Sequence, residues 1–186
     1  MERFALAERI LPSYQFVETH SRILAADAAS TLDAVQRVAP ADDPWTRRFM
    51  ALRELPGRLS GALPGNRPPF GMHSFTPLAR DGDSELTLGL AGAFWRADFG
   101  LREIGGLEDF MALHEPGVAR LLLSFHCETV AEGVRLSTQT RVHCPDAATR
   151  WRFAPYWYLI RPVSGLIRRR MLRQVERELL RGEAMA

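Results

Sequence analysis

The residues best equipped for chemistry in this 186-residue chain are two His-Cys pairs, His126-Cys127 and His143-Cys144, and a His114-Glu115 dipeptide. Imidazole and thiolate together bind zinc, and a cysteine beside a histidine base is a nucleophile. Both chemistries require the pairs to converge. Neighbouring residues on a strand point to opposite faces, so a sheet splits each pair. A turn at Glu132-Gly133 sets His126 against Gln139, four residues from His143, or about 14 Å at strand rise. Zinc ligands lie about 2.0–2.3 Å from a single ion, so this spacing argues against a metal. No histidine shares the expected face of Cys127, and a buried thiol acting as a small apolar side chain is the simpler role. His114-Glu115, before Pro116, falls in a segment that reads as loop, where polar residues are ordinarily solvated. Every one of the 24 basic residues is arginine, which removes lysine-dependent mechanisms. Neither glycine-rich nucleotide fingerprint occurs. The sequence thus nominates no catalytic residue, no cofactor site and no metal site.

Two threonines say more. The segment 119–144 reads as a hairpin turning near Glu132-Gly133, with Phe125 opposite Thr140, Cys127 opposite Thr138 and Leu123 opposite Val142. One face then carries Leu121, Leu123, Phe125, Cys127, Leu136, Thr138, Thr140 and Val142. The other carries Arg120, Ser124, His126, Glu128, Arg135, Gln139, Arg141 and His143. The period of two makes the first face core and the second solvent. A slip of one residue would reverse this and turn both histidines inward. Thr138 and Thr140 on the apolar face need partners, from the sheet itself, water or a ligand.

The surrounding elements follow from periodicity. Residues 14–24 suit a first strand. Asp27 caps a helix bearing Leu32, Val35 and Val38, ending at Ala39-Pro40. A second helix opens at Asp42-Asp43-Pro44 and presents Trp45, Phe49 and Leu52 before Pro56-Gly57. Residues 57–69 read as loop. Asp81-Gly82 marks a hairpin, followed by a half-buried strand with Leu86, Leu88 and Leu90; Phe94-Trp95-Arg96 begins another strand. Residues 105–116 read as loop with a helical turn over Leu107–Leu113. From Asp146 to about Leu180 the pattern is helical, with a stripe of Phe153, Trp157, Ile160, Ile167, Met171, Val175 and Leu179 and arginines opposite. Pro155 and Pro162-Val163-Ser164-Gly165 are expected to kink or break it, with Ser164 capping a second segment.

The balance of 46% apolar and 25% charged residues is that of one globular α+β domain spanning residues 1–186. A net charge of +2 gives no case for nucleic acid. Two cysteines without a metal or redox spacing, no signal peptide at Met1–Leu11 and no run of roughly 20 apolar residues lead to a cytoplasmic expectation. The topology, the stretch Leu-Gly-Leu-Ala-Gly-Ala-Phe-Trp-Arg at 88–96 and Tyr-Leu-Ile-Arg-Pro-Val-Ser-Gly-Leu-Ile-Arg at 158–168 resemble the START and birch-pollen-allergen helix-grip superfamily (SRPBCC), which includes polyketide cyclase-like proteins. The resemblance covers about residues 14–181 and points to an uncharacterised bacterial branch. It implies a curved antiparallel sheet wrapped around a long C-terminal helix, two short helices after the first strand, and a cavity for apolar ligands.

Residue chemistry and resemblance together lead to binding of a small apolar or amphipathic molecule, a lipid or aromatic metabolite. The expected walls are Leu88, Trp95, Leu123, Phe125, Ile160 and Ile167, with Thr138, Thr140 and Tyr156 as polar anchors. Bulky Trp157, Phe153 and Met171 are the residues able to fill such a cavity. One alternative is a cyclase- or aromatase-like enzyme using the same space. Another is peripheral lipid or partner contact through the basic C-terminal helix, where Arg168-Arg169-Arg170 and Arg173 are expected on a solvated face. That contact ranks below cavity binding, because solvated arginines also suit a helix buried on one stripe.

Overall fold

The computed structural model describes residues 4–38, Arg48, Ala51, Gly61 and 72–183. A short helix α1 (Ala5–Ile10) precedes strand β1 (Phe16–Leu24) and helix α2 (Ala28–Arg37). A 3-10 turn (Met72–Ser74) leads into β2 (Thr76–Asp81) and β3 (Glu85–Gly92). Helix α3 (Leu107–Ala112), β4 (Ala119–Val130), β5 (Gly133–His143) and helix α4 (Ala147–Glu183) complete the order. The five strands form one open antiparallel sheet, β1-β5-β4-β3-β2, packed against α4. The second helix expected from Asp42, with Trp45, Phe49 and Leu52, and the loop 57–69 lie outside the described residues apart from Arg48, Ala51 and Gly61.

Local chemistry explains the element ends. The Asp27 carboxylate accepts the Ser30 N–H at 2.8 Å and so caps α2. At the start of α4, Asp146 accepts both the Thr149 N–H at 2.7 Å and its hydroxyl at 2.6 Å. These bonds hold the Asp146 carboxyl below its ordinary range. The β2–β3 hairpin turns through Gly82, whose φ of +50° suits glycine, as Asp81-Gly82 foretells.

The β4–β5 hairpin departs from the expected register. It turns at Ala131-Glu132, so Phe125 faces Thr138, Leu123 faces Thr140, Cys127 faces Leu136 and Leu121 faces Val142. His126 accordingly faces Ser137 rather than Gln139. The shift is two residues, an even number, and every side chain stays on its expected face. Gly133 is needed for a reason other than the turn: a Cβ there would sit 2.3 Å from the Leu24 carbonyl, where β1 ends.

Four further expectations change. Residues 94–96 start no strand: the chain doubles back through Arg96–Asp98 and Gly100, and Arg102 makes a single bridge to Ala91. α4 runs unbroken for 37 residues, about 55 Å, through Pro155 and Pro162, so Ser164 starts no new segment. Arg168 is half-buried instead of solvated. Finally, both faces of the sheet's centre are core. β3 is buried along its whole length, not on one face, because α1 and α3 cover the side opposite α4. There Phe4, Ile10, Leu11, Phe110 and Leu122 pack together, and Gly89 makes room for Phe110, since a Cβ would meet its ring at 2.9 Å.

Charged side chains fasten these two short outer helices. Glu85, 2% exposed, accepts the N–H groups of Leu6 and Ala7 at 2.8 and 2.9 Å, satisfying the open end of α1. Arg141 donates to Glu8 and to the Leu11 carbonyl at the other end of α1, and lies 4.6 Å from the Tyr14 ring centre. Arg120 donates to the carbonyls of Phe110 and Met111 at the end of α3, at 3.1 and 3.0 Å. Burial pulls the Arg120 guanidinium below its ordinary value and lifts the Glu85 carboxyl above its own.

Candidate functional site

The inner face, between sheet and α4, holds two apolar clusters. One joins Leu24, Leu32, Leu86, Leu88, Leu123, Phe125 and Leu136 to Met171, Leu172 and Val175. The other joins Phe16, Leu90, Phe94 and Val142 to Phe153 and Trp157. Between them runs a polar strip contributed by β1 and the middle of α4.

Strand β1 is inverted relative to an ordinary half-buried strand. Val17 and Ile23 are exposed, whereas Glu18, His20 and Arg22 turn towards α4. His20 Nε2 lies 3.1 Å from Glu18 Oε1, and both side chains are largely buried. The register sets His20 beside Thr138 and Glu18 beside Thr140. Above them α4 comes close enough that a Cβ on Gly165 would stand 3.0 Å from Glu18 Oε1 and 3.3 Å from the His20 ring. Glycine within a helix costs about 1 kcal/mol relative to alanine, and this close approach accounts for it. One turn further on, burial pushes the Arg168 guanidinium down to about 10, with the Glu18 charge acting the other way. At the far end Arg22 is ion-paired with Glu176 of α4 at 2.7 Å.

Polar atoms here are left without partners. Thr138 is 1% exposed, and its hydroxyl makes no hydrogen bond among the described residues; neither does Nε of Arg168 or of Arg22. A hydroxyl buried without a partner costs roughly 1–3 kcal/mol, so a ligand atom that bonds to it recovers that penalty. Inward charge on an edge strand also discourages pairing between sheets. That role accounts for β1 but not for Thr138, which sits on the interior strand β5.

The sequence-derived wall residues divide between the two clusters. Leu88, Leu123 and Phe125 are buried in the first. Trp95 and Tyr156 are half-buried around Phe153 in the second, with ring centres 6.3 and 5.7 Å from it. Ile160 and Ile167 are half-buried on α4, and Thr138 and Thr140 are buried between the clusters. Phe153, Trp157 and Met171 are buried as well and take up much of the space an apolar ligand would use.

Glu18, His20 and Arg22 are not among the sequence-derived site residues, and Arg168 is expected there on the solvated face. The signal was present as a double interruption. The inner face of β1 reads Phe-Glu-His-Arg-Leu at alternate positions 16–24, and the α4 stripe reads Ser164 and Arg168 where apolar residues would continue it.

The remaining chemical groups are engaged elsewhere. His126 is buried on the outer face, its ring centre 5.5 Å from that of Phe4. Burial and the adjacent Arg120 lower the pKa of His143, which also faces outward. Burial lifts both thiols, Cys127 and Cys144, to about 12, which leaves them protonated and poorly nucleophilic at neutral pH. Glu115 of the His114-Glu115 dipeptide is bound by Arg102 at 2.6 Å. Among the described residues no three His, Cys, Asp or Glu side chains gather as a metal site would require. Surface grooves formed by described residues include one of about 600 Å³ beside the start of α4 and one of about 450 Å³ beside His126 and Cys127. Among known proteins, the chain matches no family model, no curated protein and no solved structure.

Proposed function

We propose that this chain is a helix-grip domain that binds a small amphipathic molecule between its sheet and α4, with the polar end of the ligand held by the strip. An open antiparallel sheet against a long C-terminal helix supports the helix-grip reading. The observation that carries the binding reading is the buried, unpartnered Thr138 hydroxyl beside the inward-facing Glu18–His20 pair and Arg168. Arg168 and His20 suit a carboxylate or other oxyanion, Thr138 suits either a donor or an acceptor, and the flanking leucines and aromatics suit an apolar body. Burial of that body supplies the driving force, roughly 25 cal/mol per Å² before the costs of association.

The test is native mass spectrometry of protein purified from its own host, with a thermal-shift panel of fatty acids and aromatic carboxylates. A reproducible adduct, lost in a folded Arg168→Gln variant, supports the reading. Absence of any adduct and of any shift across the panel argues against it.

A second reading, a cyclase-like enzyme, is favoured by the 3.1 Å contact between Glu18 and His20, which is the geometry of a carboxylate orienting an imidazole base. It predicts that a ligand found by the first experiment is converted by the wild type and only bound by His20→Gln.

A further inference from the structure

α4 buries one side against the sheet and leaves the opposite side bare. Trp151 is 79% exposed, Leu159 78%, Tyr158 66% and Leu166 48%, and Pro155 and Pro162 lie exposed among them. At 3.6 residues per turn these six residues occupy an arc about 100° wide, a continuous apolar stripe running roughly 22 Å along the helix. Exposed Arg152 and Arg161 flank the stripe on its two sides, and Arg169 and Arg173 continue its line. Between Ala147 and Val175 the helix carries seven arginines and no acidic residue. None of Arg152, Arg161, Arg169 or Arg173 takes part in an ion pair among the described residues.

We infer that this outer face of α4 docks on the surface of an anionic lipid bilayer. The charge pattern selects the occupant. Four exposed arginines, Arg152, Arg161, Arg169 and Arg173, with no acidic residue on this stretch of helix are complementary to a dense layer of lipid phosphates, each basic residue near such a surface contributing about 1 kcal/mol. Tryptophan and tyrosine favour the headgroup level, where an apolar ring and a polar edge are both accommodated, and the leucines enter the acyl boundary. The contact is peripheral: among the described residues no helix is long and apolar enough to cross a membrane. The same end of the helix borders the groove of about 600 Å³, whose lining includes Phe16, Arg150, Trp151 and Tyr158. Docking therefore sets that groove at headgroup depth. This inference does not depend on the ligand reading above.

Co-sedimentation with phosphatidylcholine vesicles containing about one-third phosphatidylglycerol tests it, with pure phosphatidylcholine vesicles as the control. The full chain is expected to bind the anionic vesicles, to lose most binding as salt is raised, and to ignore the neutral ones. Leu159→Glu and the double variant Arg152→Gln/Arg161→Gln change only exposed residues, so circular dichroism should report an unaltered fold. Each is expected to weaken binding roughly tenfold or more. Equal affinity for both vesicle types, no affinity for either, or full retention by Leu159→Glu overturns the inference. So does self-association of the protein without lipid that Leu159→Glu abolishes, since the stripe would then be a contact between two copies.

Discussion

On the outer face of the sheet Glu85, Arg120 and Arg141 are buried as deeply as leucines, yet each ends on the open backbone groups of a short helix. On the inner face Glu18 and His20 of β1 and Arg168 of α4 close no such circuit, and the Thr138 hydroxyl in the same strip has no partner among the described residues. Buried charge by itself is therefore a poor marker of function in this molecule. The outer charges do a structural job that water would otherwise do, capping α1 and α3. Both faces hold a buried hydroxyl without a partner among the described residues, Ser124 on the outer and Thr138 on the inner, but on the inner face it lies in one strip with the unpartnered Nε atoms of Arg168 and Arg22, where unused hydrogen-bonding capacity is costly.

The largest effect that would break this comparison comes from the outer face. Glu85→Ala strips two buried N–H groups of their acceptor, and chemical denaturation should show a loss of roughly 2–4 kcal/mol. A loss below about 0.5 kcal/mol would mean that water or a neighbour replaces the carboxylate, and the outer charges would no longer differ in kind from the inner ones.

The pH dependence sharpens the same point. Burial raises the Glu85 carboxyl above its ordinary value of 4.5, against the pull of the Leu6 and Ala7 amides and Arg141. An acid with a raised folded pKa holds its proton more tightly folded than unfolded, so its contribution to stability falls as pH climbs from about 4.5 through the folded value. Glu85→Gln should flatten that segment of the stability profile. An unchanged slope in the variant would assign it to another carboxylate.

On the inner face Gly165→Ala sets two modest terms against each other. Alanine gains about 1 kcal/mol of helix propensity, while its methyl presses on the tips of Glu18 and His20. Stability should change by less than about 1 kcal/mol, whereas affinity for a ligand identified by the thermal-shift panel should drop. Unimpaired affinity would move the ligand's polar end away from Gly165.

The difference between the faces also explains what the sequence disclosed. Alternation in 119–144 sorts the residues onto two faces correctly because an error of two residues in register leaves parity intact, but the face expected to be solvated is buried at Arg120, Ser124, His126 and Arg141. Burial of the outer face was illegible: α1 spans six residues, too few to show helical periodicity, and its N-terminal anchor, Glu85, is 79 residues from Leu6. Thr138 and Thr140 stood out as polar residues on an apolar face. Glu18 and His20 did not, because an edge strand with Val17, Thr19 and Ile23 between its polar residues reads equally well with either face inward. Only the position of α4 decides, and that is a tertiary fact.

The most direct measurement is the unfolding free energy of Thr138→Val, a nearly isosteric change that removes only the hydroxyl. If the hydroxyl is unpartnered and held for a ligand, the variant should match the wild type or exceed it by up to about 1 kcal/mol, while binding of the amphipathic ligand weakens. A loss of about 1 kcal/mol or more, with binding unaffected, would show that the hydroxyl serves the fold and that the inner strip is a structural device like the outer one.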